Sequence, residues 1–487
     1  MNHFDKLPSE LISHIFLLCI RHWPDSDRWD PYDFNVGITS VCRRWRDIAL
    51  STSSMWQYIT LLPGDVNLYK TKLCLNRSKG APLDIHLSSY DLFSLAEIDN
   101  FLDVLLPHSS RWREFKCTVD DYVAHVNFLS RLHNYHTKPR ILETLVLHAD
   151  EMSLPIGFEA PRLDISFFSH AHSVSLRGLT IQWENWPFAN LTQLQLRGPD
   201  TPQFTLTQFS QMLSSALSLV DLSLVQCHPS QPHTSPEPVV LPLLRSFRLE
   251  RLPSVIHAAL LMQSVKAPSL ETLVIRYWSE VGEEELPSSI RSSITGYASI
   301  KHLNIGMLGT SSAQRRSDYE HIFRSFAGVT DLTLYFETSY SLEHLNLLVK
   351  SEHTLGPSTD VASPSVLLPS LNSLRPIGFP YGALHSFVKT RKEIGYPVRR
   401  IVLPPYSWSG VDEGFSKYLD VIDHHTDEFN ETYYGEDAES EDDWYENHDY
   451  YSGDSDDYNY DGYDGYDDGY DDGHDDSELD EYGINDF

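Results

Sequence analysis

The segment LTQLQLR, residues 191–197, sets Leu191, Leu194 and Leu196 in the order apolar-x-x-apolar-x-apolar. Its last two apolar positions alternate, as a strand with one buried face requires. The same order occurs at Trp112/Phe115/Cys117, Leu142/Leu145/Leu147, Ala171/Val174/Leu176 and Leu219/Leu222/Leu224. It continues at Leu244/Phe247/Leu249, Leu270/Leu273/Ile275, Ile300/Leu303/Ile305 and Val329/Leu332/Leu334. Val398/Ile401/Leu403 adds a late copy, and Leu371/Leu374 is a broken one. From Trp112 to Val329 successive starts fall 20 to 30 residues apart. Between them, residues 204–217, 254–265 and 317–326 carry apolar side chains three and four apart, which predicts helices. Asp318 stands where it can cap the last of these.

A strand, a turn and a helix of this size cannot bury their own apolar face, so neighbouring units must stack to make a core. The period and its head resemble leucine-rich repeats. That resemblance implies a parallel sheet with connecting segments on its other side. The asparagine that commonly follows such a head is mostly absent; His228, Tyr277 and Glu337 stand near its place. Residues 229–242 and 351–369, rich in Pro, Ser and His, read as surface insertions. Side chains between the inward positions face outward on the strands. His148, Arg197, Arg248, Arg276, Tyr277 and Tyr335 are therefore candidate target-binding residues, since Arg and aromatic groups anchor interfaces.

The amino end has a different texture. FDKLPSELISHIFLLC (4–19) places Leu7, Leu11, Ile15 and Leu18 at helical spacing, with Pro8 suited to a first turn. A polar stretch, 21–38, leads to ITSVCRRWRDIALSTSSMWQYI (38–59), with Val41, Trp45 and Ile48 on one helical stripe and Trp56 beyond the turn. A unit of about sixty residues buries little surface by itself, which makes it a candidate docking module. Leu7, Pro8, Glu10, Ile15, Phe16, Val41, Cys42, Trp45, Arg46, Ile48, Ala49 and Trp56 resemble an F-box of the type common in fungal F-box/leucine-rich-repeat proteins. The resemblance implies a small helical trio that binds a Skp-type adaptor and through it a cullin-RING ubiquitin ligase. Leu7, Pro8, Glu10, Leu11, Ile15, Phe16, Val41, Cys42, Trp45, Ile48 and Trp56 would then make the adaptor contact.

Charge divides the chain. Of 69 acidic residues, 26 lie in 427–487, which has no Lys or Arg; the other 43 face 37 bases. The body is nearly balanced, without a basic face for phosphates, so nucleic acid is not an expected partner. The tail has so little apolar area that nothing offsets its chain entropy, and disorder is expected. Asp457, Asn459, Asp461 and Gly462 open like a calcium loop, but Gly/Tyr/Asp repeats cannot supply its flanking helices. Five scattered cysteines, with no CxxC pair, fit a reducing compartment. No apolar run approaches the roughly 20 residues a bilayer needs. A cytoplasmic or nuclear location follows, without a membrane partner.

The phosphate loop GxxxxGK[ST], the zinc motif HExxH and the nucleophile elbow GxSxG are all missing, so no catalytic residue, metal or cofactor is expected. The expected architecture is α/β: an all-α F-box module (1–62), an irregular leucine-rich-repeat solenoid (63–425) and a disordered acidic tail (426–487). The expected function is that of a non-catalytic receptor joining a protein target to the ligase. The alternative is a repeat scaffold without a ubiquitin role, its first sixty residues serving as a cap.

Overall fold

The computed structural model describes residues 6–21, 31–61, 68–89, 95–119, 122–149, 162–198, 204–230, 237–277, 297–306, 320–335, 345–349, 366–379, 381–403 and 414–424, apart from a few positions inside these ranges. The acidic tail, with its expected disorder and calcium-like loop, lies outside them, as do Asp318 and Glu337. Residues 1–426 form one compact unit.

This unit is mixed α/β. Strands β1 (Tyr58–Leu61), β2 (Leu83–Ser89), β3 (Trp112–Val119), β4 (Thr144–His148), β5 (Ser173–Arg177), β6 (Gln193–Arg197) and β7 (Asp221–Val225) enter the sheet in chain order. After β8 (Val239–Val240) come β9 (Ser246–Leu252), β10 (Val265–Lys266), β11 (Thr272–Tyr277), β12 (His302–Gly306), β13 (Asp331–Tyr335), β14 (Ser373–Ile377), β15 (Arg400–Leu403) and β16 (Val421–His424). All but β8 and β10 make one fourteen-stranded sheet, each strand parallel to the one before it.

Register shows why the apolar order recurs. One row runs Ile59, Ile85, Phe115, Leu145, Val174, Leu194 and Leu222 across the first seven strands. It continues through Phe247, Leu273, Leu303, Leu332, Leu374 and Ile401 to Ile422. Every member but the last is buried. Each such side chain contributes about 1.5–3 kcal/mol on leaving water, and each packs beside its counterpart on the next strand. The leading apolar residue of each head, such as Leu142, Leu191 or Leu219, is buried too, where the chain turns into its strand.

Connecting helices cover the inward face. They include α4 (Tyr69–Ser78), α5 (Leu95–Leu105), α6 (Tyr122–His133), α7 (Leu206–Ser215), α8 (Val255–Gln263) and α9 (Tyr381–Glu393). Two expected helices are shorter than the spacing predicts. Thr205 stops α7 at its start with a reciprocal cap to Gln208, leaving Phe204 to bridge Pro229. Helix α8 ends at Gln263 because β10 begins two residues later. Within the expected loop 229–242, Val239 and Val240 instead pair with Val265 and Lys266.

Arg391 of α9 is wholly buried, with no carboxylate partner among the described residues. It donates to four backbone carbonyls, those of Leu348, Leu367, Leu368 and Tyr396, at 2.9–3.1 Å. Burial pushes its guanidinium down to about 10. Three of these carbonyls lie on either side of residues 350–365, so this one side chain ties Leu348 to Leu367 and Leu368.

Candidate functional site

Three further helices precede the sheet: α1 (Ser9–Arg21), α2 (Pro31–Val41) and α3 (Arg43–Ser51). Pro8 stands just before α1, and its carbonyl accepts the first helical bond from the Ile12 N–H. Helix α1 is apolar on two stripes. Ile12, Phe16 and Ile20 recur every four residues and face the body, with Phe16 edge-on to Trp45 at 5.1 Å. Leu11 and Ile15 lie one position, about 100°, around the helix from Ile12 and Phe16, and Leu18 falls on the same side as these two. They stay open to solvent: Leu11 is 51% exposed and Ile15 40%. Val41, at the end of α2, is 61% exposed.

Several sequence expectations need correction here. The polar stretch 21–38 contains most of α2, whose Asn35 and Ile38 turn inward; Asn35 donates to the Met55 carbonyl at 2.7 Å. Its Asp, Asn, Gly and Thr content obscured the helix, since those residues favour caps and turns. Val41 does not share a stripe with Trp45 and Ile48. Cys42 breaks the helix in extended conformation and caps α3, its sulfur accepting the Trp45 N–H at 3.5 Å. Arg44 and Arg46 tie α3 to its neighbours, through the Leu7 carbonyl and the Thr39 carbonyl.

Trp56 is not an adaptor contact surface. It is fully buried, donates its indole N–H to the Ala49 carbonyl at 2.9 Å and lies under the Arg77 guanidinium at 4.3 Å. Phe16 and Ile48 are buried as well. These three hold the helices together and cannot reach a partner. Leu7 and Trp45 are half-buried, while Pro8, Glu10, Leu11, Ile15, Val41 and Cys42 are open. Trp56 also leads directly into β1, which pairs with β2, so the boundary expected at residue 62 falls after the first strand of the sheet.

The outward face of the sheet holds the second set of candidates. Arg276 is not a loose anchor: it meets the Glu250 carboxylate at 3.5 Å, the Asn304 side-chain oxygen at 3.4 Å and the Tyr335 hydroxyl at 2.6 Å. Its guanidinium also covers the Tyr335 ring at 4.1 Å. Gly306 separates the two in register, and the missing side chain is what lets Arg276 span a strand. Tyr335 is consequently buried, against the expectation of exposure. Arg248 pairs with Glu250 at 3.1 Å. Arg197 and His148 remain half-buried on the face; Tyr277 ends β11, and its side chain lies outside the described residues.

Sequence reasoning missed a second ionic group at the amino end of this face. His86 and Lys116 both hold Glu114, at 2.9 and 2.8 Å. Burial alone would lift the Glu114 carboxyl, but those two hydrogen bonds outweigh it and hold it at about 2. Nearby, Arg113 binds the buried Asp84 through both carboxylate oxygens. Register sets Asp84 beside Glu114 and His86 beside Lys116, so the opposite charges meet diagonally, His86 with Glu114, and along β3, Lys116 with Glu114, which no reading of either strand alone contains.

Among the described residues no group of three or more His, Cys, Asp or Glu side chains could hold a metal ion. No described helix is long and apolar enough to cross a membrane. No protein-family model matches the chain, and no curated protein matches it.

Proposed function

We propose that the chain is a receptor subunit of a Skp-cullin-F-box ubiquitin ligase. Helices α1–α3 dock a Skp-type adaptor, and the long parallel sheet, read as an irregular leucine-rich-repeat solenoid, selects a protein target. The observation that carries this reading is the second apolar stripe on α1. One stripe is enough to attach a helix to its own body. A neighbouring stripe of Leu11, Ile15 and Leu18, each 40–51% exposed, leaves much of its apolar surface in water, which costs solubility. It gains a purpose when another polypeptide covers it.

The chain would supply position, not reacting groups. Continuity from Trp56 into β1 supports this role, because docking helices fixed to the sheet hold a bound target in a constant direction and raise its effective concentration at the ligase. The test is co-expression of the full chain with a recombinant Skp-type adaptor, followed by size-exclusion chromatography. A stoichiometric complex is expected. Separate elution of the two proteins overturns the ligase reading and leaves a repeat scaffold. Deleting residues 1–62 is a poor control, because it also removes β1.

A further inference from the structure

Strands β4, β5 and β6 read TLVLH, SVSLR and QLQLR: two arginines, one histidine and no carboxylate. Register sets the three basic residues side by side, His148 beside Arg177 and Arg177 beside Arg197. Adjacent strands stand about 4.8 Å apart, so the two guanidinium groups share one small area. The row continues into Val225 on β7 and then Glu250 on β9. That carboxylate is already engaged by Arg248 and Arg276. Toward β3 the next member is Thr118.

Burial, and then the charges of Arg177 and Arg197, push the His148 imidazole down to about 4, so it is neutral at pH 7. Its Nε2 lies 2.9 Å from the Ser175 hydroxyl. The same face carries uncharged hydrogen-bonding groups one step back along the strands. Ser173 donates to the Gln193 side-chain oxygen at 3.0 Å, and Ser175 to that of Gln195 at 3.5 Å. Gln193 and Gln195 are exposed, and their amide nitrogens can still donate. Arg177 and Arg197 also make contacts inside the protein. A guanidinium has five N–H donors in a planar fork, which can serve an internal acceptor and an incoming oxyanion together.

We propose that the face of β4–β6 holds an extended Asp/Glu-rich segment of a partner protein, with carboxylates on Arg177 and Arg197 and backbone groups on Gln193 and Gln195. Charge complementarity selects the acidic residues, and the neutral amide row beside them matches a peptide backbone better than a second phosphate chain. The proposal deepens the target-selecting role given above by naming the chemistry of the target.

The test is fluorescence anisotropy on the full chain without adaptor, at about 0.1 M salt. The probe is a short labelled peptide of alternating Glu and Ala, compared with its Gln counterpart and a single-stranded oligonucleotide of equal charge. The Glu peptide should bind at least about tenfold more tightly than the Gln peptide. Arg177→Gln with Arg197→Gln should remove that preference while thermal unfolding stays in place. Should the double variant fail to fold, Arg197→Lys decides, since it keeps the charge but loses the fork; weakened Glu-peptide binding is expected. Equal binding of the Gln peptide, full affinity in the folded variants, or equal binding of the oligonucleotide would each overturn the proposal. Because no adaptor is present, failure here leaves the α1 docking reading intact, and loss of adaptor binding leaves this one intact.

Discussion

Ile15 and Phe16 are neighbours in sequence with opposite duties, and substituting them separately tests the two-stripe reading of α1. Phe16 is 4% exposed and packs on Trp45. Phe16→Ala deletes a buried ring and should cost about 3–5 kcal/mol of stability. Ile15 leaves 40% of its surface in water and Leu11 51%. Complete burial of such a side chain is worth about 1.5–3 kcal/mol, so each has about 1 kcal/mol still to gain from a partner. Leu11→Ser with Ile15→Ser should therefore weaken adaptor binding by about 2 kcal/mol, or roughly 30-fold. The matching loss of fold stability should be smaller than that of Phe16→Ala, because the outer stripe is only half covered. Calorimetric titration with the adaptor reads the first quantity and urea unfolding the second. Adaptor affinity within twofold of the unsubstituted chain in the Ser/Ser variant would refute the assignment. So would a Phe16→Ala variant that binds weakly while unfolding at the original urea concentration.

Three other outcomes are expected. Arg391→Met removes the side-chain donor from four carbonyls, of which that of Leu368 keeps the Leu371 N–H, and should lower stability by about 3 kcal/mol, and Arg391→Lys should not restore it, because an ammonium cannot reproduce the planar fork; thermal unfolding of the three proteins decides. Glu114 titrates at about 2 in the folded protein against about 4.3 when unfolded, so its contribution is complete above the unfolded value and is lost as pH falls from there toward 2; Glu114→Gln should flatten that part of the stability–pH curve. Gly178 has φ +66°, and a Cβ there would overlap the Ala149 carbonyl oxygen, so Gly178→Ala should destabilise by more than about 1 kcal/mol in urea unfolding.

The repeating heads were legible because burial on one face of a parallel strand demands alternation, and that demand is local. Leu194/Leu196 and Leu273/Ile275 declare it in six residues each. Strand β1 was less legible: Trp56, Ile59 and Leu61 carry the same apolar order, but Trp56 also fits the close of the helical module before it. Helix α2 was lost for another reason. Its anchors, Asn35 to the Met55 carbonyl and the buried Ile38, act across the chain, while its composition argues against a helix.

On the candidate surfaces the division is sharper. Sequence alone determined that α1 is apolar over a wide arc, that strands recur every 20 to 30 residues and that 427–487 is a polyanion, because spacing and charge are properties of the chain itself. Only the tertiary structure decided which side of that arc is covered. It turned Phe16, Ile48 and Trp56 into core and left Leu11, Ile15 and Val41 in water. Likewise Arg276 and Arg197 look alike in their strands. Gly306 on one neighbouring strand, Tyr335 on the next and Glu250 on the other side lock the first into a network, whereas Arg177 and Val225 flank the second. A side chain's role on a sheet is set by residues that register brings beside it from tens of positions away, and no local reading of one strand contains them.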